Sequence, residues 1–258
     1  MSTPDSETLK AAVRETYGHI ASGKTAGCCS GAGCCGPDLA STADGLSYSD
    51  YSDDERQSAP EGSDLGLGCG NPQGIAELRE GERVLDLGSG AGFDAFLAAR
   101  QVGPNGFVVG VDMTAEMVAK ARANVLKTDF KNVEFRLGEI EHLPVADANV
   151  DVIMSNCVIN LSTDKPAVFR EAFRVLTPGG RLAIADIVAV AALPSSVRDD
   201  LKAYAGCVAG AALVSDVVRM LNDAGFQDAA VSMTHAPEDL TASALIRAKK
   251  SFADEKRG

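Results

Sequence analysis

Hydrophobic positions change their spacing along the chain, and this change predicts strands that alternate with helices. Short apolar runs predict five strands, in "RVLDLGS", "FVVGVDM", "VEFRLGEI", "VDVIMSN" and "RLAIADIV". Apolar residues at helical spacing predict helices between them, in "GFDAFLAARQV", "TAEMVAKARANVLKT" and "DKPAVFREAFRVL". Strands that alternate with helices indicate a parallel sheet that is covered on both faces and joined by right-handed crossovers.

The segments on either side of this core are predicted to be less regular. Residues 5–22 have the pattern of a helix, whereas residues 23–64, rich in Gly, Ser, Ala and Asp, are predicted to be a loop. A Gly-rich turn at 66–73 leads to a short helix that ends near Glu80. After the fifth strand, the sequence predicts a helix capped by Ser215 and two closing strands, in "AAVSMTHA" and "SALIRAKK". The expected fold is therefore α/β and Rossmann-like, with a mostly parallel seven-stranded sheet and helices on both faces.

Composition and charge narrow the classes of partner. The chain is 45% hydrophobic and 23% charged, which is ordinary for a globular protein. Its net charge of −12 argues against binding to nucleic acid or to an anionic membrane surface, since both are bound through Lys and Arg. No apolar run is long enough to span a bilayer, and "MSTPDSETLK" does not resemble a signal peptide. We therefore expect a cytoplasmic protein with reduced thiols.

The stretch "VLDLGSGAGFD" has the order strand, Gly-rich turn, helix. Gly88, Gly90 and Gly92 let the backbone turn sharply and approach a ligand without a Cβ in the way. Asp112 stands at the end of the next strand, about 20 residues after Gly92, where a carboxylate can accept hydrogen bonds from ribose hydroxyls. These parts together predict a site for a nucleoside cofactor.

The spacing of the turn is G-x-G-x-G, with Asp86 two residues ahead of Gly88, and a dinucleotide-binding turn would be G-x-G-x-x-G. This spacing resembles motif I of the class I S-adenosylmethionine-dependent methyltransferases. The resemblance covers residues 74–190 and extends to "VVGVDMT", "GEIEHLPVADANVDVIMSN" and "AFRVLTPGGRLAIAD". It implies S-adenosyl-L-methionine as the cofactor, and a dinucleotide-binding domain is the alternative.

The same resemblance assigns further residues to the cofactor site. It implies that Met113 packs on the adenine and ribose, that Glu139 and Ile140 edge the adenine, and that Asn156 lies near the methionine portion. Met113 and Ile140 could equally be core residues.

The acceptor side of the predicted site contains sulfur in place of an evident base. Cys157 follows the fourth strand, Cys69 lies in the Gly-rich turn before the first strand, and Cys207 lies in an insertion after the fifth strand. Among the three histidines, His142 is the best candidate for a base, yet a surface role suits it better. All three cysteines could converge at the entrance of the predicted active site. Thiolates around one centre suit a soft ion such as zinc or trivalent arsenic.

The segments "LGLGCGNP", "VVGVDMTAEM", "LGEIEHLP" and "VIMSNCVINLSTDK" resemble the arsenite methyltransferase family, over residues 66–210. The resemblance implies that Cys69, Cys157 and Cys207 bind As(III) as thiolates, with the arsenic lone pair as the nucleophile toward the cofactor methyl group. Asn156 and Asn160, which flank Cys157, are also found in that family. A buried cysteine can instead be a small core residue, and this alternative applies most to Cys207.

The stretch "CCSGAGCC" contains Cys28, Cys29, Cys34 and Cys35 in a chain with seven cysteines. The family resemblance implies that an upstream cysteine helps to take arsenic from glutathione and forms disulfides during turnover. We favour Cys34 and Cys35, because they lie nearer the folded core, although either doublet could take part. A separate zinc site, or a loop without a role, are the alternatives.

The resemblance also implies partners and a division of the chain. The partners would be arsenite or its glutathione conjugates and a thiol reductant, either glutathione or thioredoxin. Residues 1–65 would form an N-terminal helix and Cys-rich loop, 66–190 the cofactor-binding core, and 191–258 a cover for the arsenic site, a helix and two strands. The competing functions are methylation of a small organic acceptor, such as a quinone precursor or sterol, and thiol-based sensing of metalloids.

Overall fold

The computed structural model describes residues 5–24, 51–234 and 240–252. The described helices are α1 (Ser6–Ala21), α2 (Asp53–Ser58), α3 (Gln73–Ala76), α4 (Phe93–Val102), α5 (Ala115–Val125), α6 (Lys165–Val175), α7 (Ser195–Arg198), α8 (Leu201–Ala205) and α9 (Val214–Asp223). The described strands are β1 (Arg83–Leu87), β2 (Phe107–Asp112), β3 (Val133–Leu137), β4 (Val150–Asn156), β5 (Leu176–Ala189), β6 (Gln227–Met233) and β7 (Thr241–Lys249). None of these described helices combines the length and the apolar character needed to cross a membrane.

The strands form one seven-stranded sheet in the order β3-β2-β1-β4-β5-β7-β6. The pairs among β1 to β5 are parallel, and β7 is antiparallel to both of its neighbours, β5 and β6. The prediction of a mostly parallel sheet with seven strands is confirmed. From β1 the chain runs outward through β2 to β3 and then returns to place β4 on the other side of β1. This reversal creates a switch point, and the carboxyl ends of β1 and β4 are therefore where a ligand is expected.

Successive side chains of each strand point to opposite faces of the sheet, so the core is divided into two apolar layers. In β1, Val84 joins one apolar cluster, whereas Leu85 joins the cluster on the opposite face. Phe96 of α4 packs in the first cluster, and Phe169 of α6 and Leu221 of α9 pack in the second. Helices thus cover both faces of the sheet, as its near-continuous apolar strands require.

Some local elements differ from the sequence-based expectation. The predicted loop contains α2, whose start is fixed by a capping box between Ser52 and Glu55. Helix α3 ends at Ala76 and not near Glu80, because Glu77 takes a left-handed backbone conformation with φ of 49°. The N-cap of α9 is Leu213, so Ser215 lies inside the helix and is not its cap.

Candidate functional site

The Gly-rich turn lies at the switch point and is closely packed. The φ angles of Gly88 and Gly92 are +67° and +97°, which favour glycine. A Cβ on Gly88 would lie 2.4 Å from the side chain of Val158, and one on Gly92 would lie 2.6 Å from the ring of Phe135. Since Val158 follows β4, the loops after β1 and β4 touch each other here. Glycine is therefore required at both positions, because a side chain there would collide with the loop after β4 or with Phe135 of β3.

Asp112 is held beside this turn by backbone donors. Gly90 N donates to Asp112 Oδ2 at 2.9 Å, and Thr114 N donates to Oδ1 at 2.8 Å. Burial raises the pKa of Asp112 above its usual value. Each carboxylate oxygen can accept more than one hydrogen bond, so both keep capacity for a ligand's hydroxyl groups.

Asp86 lies beneath the turn at the end of β1 and is 2% exposed. Burial raises its pKa well above the usual value, and the charges of Asp94 and Asp112 add to this effect. Among the described residues, Asp86 Oδ2 and Ser89 Oγ are buried without a hydrogen-bond partner. A buried carboxylate oxygen without a donor is costly, and an ammonium group of a ligand is one donor that would satisfy it.

Glu139, Met113 and Ile140 have different surroundings. Glu139 is half-buried and accepts from Lys10 Nζ at 2.7 Å and from Arg14 Nη2 at 2.5 Å. The hydrogen bond from Lys10 lowers the pKa of Glu139, so α1 is tied electrostatically to this edge of the site. Ile140 is buried in the core, and Met113 packs against the apolar cluster that contains the described cysteines.

The three described cysteines belong to that single cluster. Cys69 and Cys157 form a disulfide with their Cα atoms 5.6 Å apart, and the Cys207 thiol donates to the Cys157 carbonyl oxygen at 2.9 Å. Cys157 and Cys207 are buried, and both have left-handed φ angles, 57° and 65°. A non-glycine residue pays for this conformation in strain, and such strain is concentrated at functional sites. The structure thus brings together cysteines that lie far apart in the sequence.

Asn156 holds the turn that carries Cys69. Its Oδ1 accepts from Cys69 N at 2.9 Å, and its Nδ2 donates to the Gly70 carbonyl at 2.7 Å and to Tyr51 Oη at 2.9 Å. A Cβ on Gly68 would lie 2.6 Å from Asn156 Nδ2, so the turn must approach this amide closely. Asn156 therefore positions Cys69 next to Cys157.

A buried carboxylate lies beside the disulfide. The sulfur atoms of Cys69 and Cys157 and a carboxylate oxygen of Asp186 lie within 4.8 Å of one another. Asp186 accepts from Ile159 N, Ile187 N and Asn160 Nδ2 at 2.9, 2.8 and 2.9 Å. Burial raises the pKa of Asp186 to about 6. The site thus combines sulfur with an acidic group whose orientation is fixed by three donors.

Comparison with known proteins identifies the family. A family model described as a methyltransferase domain matches residues 78–225. The crystal structure of an arsenic(III) S-adenosylmethionine methyltransferase from Chlamydomonas reinhardtii matches with a TM-score of 0.61 and 34% identity, over 80% of this chain and 72% of that chain. This chain belongs to the arsenic(III) S-adenosylmethionine methyltransferase family. The predicted family and its class I methyltransferase fold are thereby confirmed.

Relatives named arsenite methyltransferase extend the similarity. The protein from Halobacterium salinarum is 51% identical over an alignment of 247 positions, which covers 91% of this chain and 60% of the relative. The protein from Homo sapiens is 37% identical over an alignment of 168 positions, which covers 62% of this chain and 44% of the relative. The chain thus spans between two fifths and two thirds of these relatives' lengths. A phosphoethanolamine N-methyltransferase from Haemonchus contortus, 19% identical with a TM-score of 0.61 over 74% of this chain and 54% of that chain, shares the fold.

Several residues that contact this candidate site were not identified from the sequence. Tyr51 Oη donates to Asp94 Oδ1 at 2.6 Å, and Gln73 Nε2 donates to the Asp94 carbonyl at 2.8 Å. Tyr51 lies in a segment without periodicity, which gave no signal. Asp186 could have been found from the sequence, because it is an acidic residue inside the apolar strand "RLAIADIV". Cys34 and Cys35, like Cys28 and Cys29, lie outside the described residues, and their role stays a prediction.

We expect Asn156→Ala to misplace Cys69. The variant loses every hydrogen bond of the amide, each worth about 1–3 kcal/mol when a buried partner is left unpaired. Formation of the Cys69–Cys157 disulfide under a mild oxidant should therefore slow at least severalfold, measured by acid quench and peptide mapping. Asn105→Ala, at an exposed turn far from the cysteines, is the control and should form the disulfide at the parental rate. Equal rates in both variants would show that Asn156 does not position Cys69.

Proposed function

We propose that this protein transfers a methyl group from S-adenosyl-L-methionine to trivalent arsenic held by Cys69, Cys157 and Cys207. The observation that carries the proposal is the single cluster formed by these cysteines, beside the switch point where the Gly-rich turn and Asp112 lie. Family membership supports the same chemistry. A protein of this fold that methylated an organic acceptor would have no need for three thiols from distant segments at this position.

The cofactor would be bound by the turn and its acidic partners. Asp112 would accept hydrogen bonds from the ribose hydroxyls, and the backbone at Gly88, Gly90 and Gly92 would allow close approach. The unpartnered Asp86 Oδ2 fits an ammonium group, as found in the methionine portion. When bound, S-adenosylmethionine would supply an electrophilic methyl group. Met113 and Glu139 lie at the edge of this region, and we assign them to the adenosine side.

The thiols would hold arsenic in the reduced enzyme. Thiolates are soft ligands, and trivalent arsenic takes up to three of them while it keeps a lone pair. Each enzyme thiolate would displace one small thiol from an arsenic conjugate, such as that of glutathione, by exchange. The lone pair needs no proton removed before it attacks, so no general base is required of the site. The side chains contribute by position and orientation.

The disulfide supports a redox role for the same cysteines. Methyl transfer to the arsenic lone pair raises arsenic from the trivalent to the pentavalent state. Oxidation of the Cys69 and Cys157 thiolates to the disulfide releases two electrons, which would return the product to the trivalent state. A thiol reductant, glutathione or thioredoxin, would then restore both thiols. Such a cycle requires the reducing environment that we expected of the cytoplasm.

The direct experiment is incubation of the enzyme with arsenite, reduced glutathione and methyl-labelled S-adenosylmethionine, followed by separation of the arsenic species. We expect label in methylated arsenicals and none when arsenite is omitted. If label accumulates instead in a quinone precursor or sterol offered in competition, the small-acceptor function is correct and the proposal is wrong. If the protein does not bind S-adenosylmethionine but binds arsenite, it is a metalloid sensor.

The two cysteine doublets provide a matched test of arsenic capture. If Cys34 and Cys35 take arsenic from its thiol conjugate, the paired change Cys34→Ser and Cys35→Ser should slow the first methylation more than the second. The reason is that the thiol conjugate of arsenite carries three exchangeable thiols, whereas the conjugate of the methylated product carries fewer. The paired change Cys28→Ser and Cys29→Ser is the control. Rates of both steps follow from time courses of arsenic speciation, and equal slowing of both steps would count against a capture role.

A further inference from the structure

A cleft opens beside the disulfide, on the side of Cys69. It has a volume of about 240 Å³ and lies between α3, the end of β6 and the middle of β7. Its lining includes Cys69 and Gly70, Gly74 and Ile75 of α3, and Thr234 and Leu245. No residue that lines it carries a formal charge. Neither Asp112 nor the turn that contains Gly88, Gly90 and Gly92 lines it, so it is separate from the proposed cofactor site.

The two sulfurs of the disulfide differ in access. Cys69 is partly exposed and lines the cleft, whereas Cys157 is 8% exposed and lies in the apolar cluster with Cys207, which is 3% exposed. Thiol–disulfide exchange requires a thiolate to reach one sulfur, and access decides which sulfur is attacked. Only the Cys69 side offers that access within the described residues.

We propose that this cleft binds a small-molecule thiol and directs it to Cys69 Sγ, so that the disulfide is opened mainly at Cys69. The inference rests on the proposed function only for the origin of the disulfide. The small volume favours a small-molecule thiol, such as 2-mercaptoethanol or glutathione, over a redox protein, because even pockets for drug-sized ligands have only about 300–1,000 Å³. A redox protein would instead have to present its cysteine through the mouth of the cleft.

The exchange is balanced in two steps. In the first, the incoming thiolate forms a bond to Cys69 Sγ, the bond between Cys69 and Cys157 breaks, and its electron pair leaves with the Cys157 sulfur. In the second, another thiolate attacks the small-molecule sulfur of the mixed disulfide, and Cys69 leaves as a thiolate. The two small thiols are oxidised to their disulfide and lose two electrons, which the two cysteines gain. The protons of the small thiols pass to solvent or to the new cysteine thiolates.

This order has a consequence for the site. Cys157 is released as a thiolate next to Cys207 while Cys69 still carries the small thiol. The buried pair would therefore be available for arsenic before the third thiol. Attack at Cys157 would give the opposite order and would require the small thiol to enter the apolar cluster.

The first measurement locates the mixed disulfide in the full-length oxidised protein. The protein is mixed with 2-mercaptoethanol for short times, quenched with acid and mapped by mass spectrometry. We expect the adduct on Cys69 in at least tenfold excess over Cys157. An adduct mainly on Cys157 would overturn the proposal, whatever the variants show. Neither arsenic nor S-adenosylmethionine is present in this measurement. An adduct on Cys157 would therefore leave the proposed methyl transfer standing, and a failure of methyl transfer would leave the adduct on Cys69 standing.

The second measurement fills the cleft. Gly74 is exposed and lines the cleft, and a Cβ on it would meet no atom within 4 Å, so the position accepts a side chain at the wall of the cleft. We expect Gly74→Phe to slow opening by 2-mercaptoethanol at least tenfold, and Gly74→Ala to change it less than twofold. Thermal melting tests whether both variants are folded. If Gly74→Phe is unfolded, the position of the adduct in the parent protein decides whether the proposal holds. An unchanged rate in a folded Gly74→Phe would overturn the role of the cleft.

A third measurement tests whether the cleft serves a small thiol or a redox protein. Reduced thioredoxin replaces 2-mercaptoethanol at matched thiol concentration, with the parent protein and Gly74→Phe. If thioredoxin opens the disulfide far faster than the small thiol and Gly74→Phe leaves that rate unchanged, the occupant is not a small molecule and the proposal is wrong. We expect the small thiol to act without thioredoxin and the variant to block it.

Discussion

Replacing Cys157 with serine is expected to abolish arsenite methylation, with a fall in kcat/KM of about three orders of magnitude, or about 4 kcal/mol of transition-state stabilisation. Serine offers a hard hydroxyl in place of a soft thiolate, so arsenic would lose one of its proposed ligands. It also removes the disulfide to Cys69, through which two electrons would reach the product. The measurement is the initial rate of formation of methylated arsenic under saturating S-adenosylmethionine.

Two controls show whether Cys157→Ser acts through the lost sulfur: its affinity for the cofactor, and a second variant that suits the backbone conformation of residue 157. The variant should bind S-adenosylmethionine with the parental affinity in calorimetry, because the contacts of Asp112 run to Gly90 and Thr114. Cys157→Gly is the matched variant: it lacks sulfur but adopts the φ of 57° more readily than serine does. Both variants should be inactive. Parental activity in Cys157→Ser would exclude Cys157 as an arsenic ligand.

The sequence was sufficient for the sheet because the signals were local. Each of the seven strands has a short apolar or alternating run, and the order of strands and helices restricts the topology. The same logic located the Gly-rich turn, Asp112 and Cys157, since all of them follow predicted strands at the carboxyl edge. The short helices α2, α7 and α8 were missed, because 4–6 residues are too few to establish a helical period.

The internal connections of the site depend on contacts between distant segments. Cys69 and Cys157 are separated by 88 residues, and spacing alone does not pair them. The hydrogen bond from Cys69 N to Asn156 Oδ1 that prepares this pairing has no local signal either. Glu139 was assigned to the adenine edge by resemblance, whereas its ion pairs with Lys10 and Arg14 of α1 became visible only in the folded chain. Family resemblance thus selected the candidate residues, and the structure supplied their mutual contacts.

Replacing Asp112 with alanine is expected to weaken S-adenosylmethionine binding about 100-fold, since two hydrogen bonds to a charged acceptor are worth about 3 kcal/mol or more together. The same change leaves Gly90 N and Thr114 N without their acceptor, so the turn and the start of α5 should also loosen. Isothermal calorimetry measures the dissociation constant, and amide hydrogen exchange at residues 88–92 measures the loosening.

Two further variants separate the ribose contact from a general loss of stability. Asp112→Asn keeps the shape and one acceptor oxygen, so its affinity should fall between the parental value and that of Asp112→Ala. Asp129→Ala removes an exposed carboxylate from the loop after α5 and should leave binding unchanged. We expect Asp112→Ala to lose affinity for S-adenosylmethionine and to bind arsenite at its reduced cysteines as the parent does, because Asp112 contacts the turn and not the cysteine cluster. Such a result would show that the cofactor site and the arsenic site are independent. Parental affinity in a folded Asp112→Ala would refute the ribose role, and the Gly-rich turn would then have to bind the cofactor through its backbone alone.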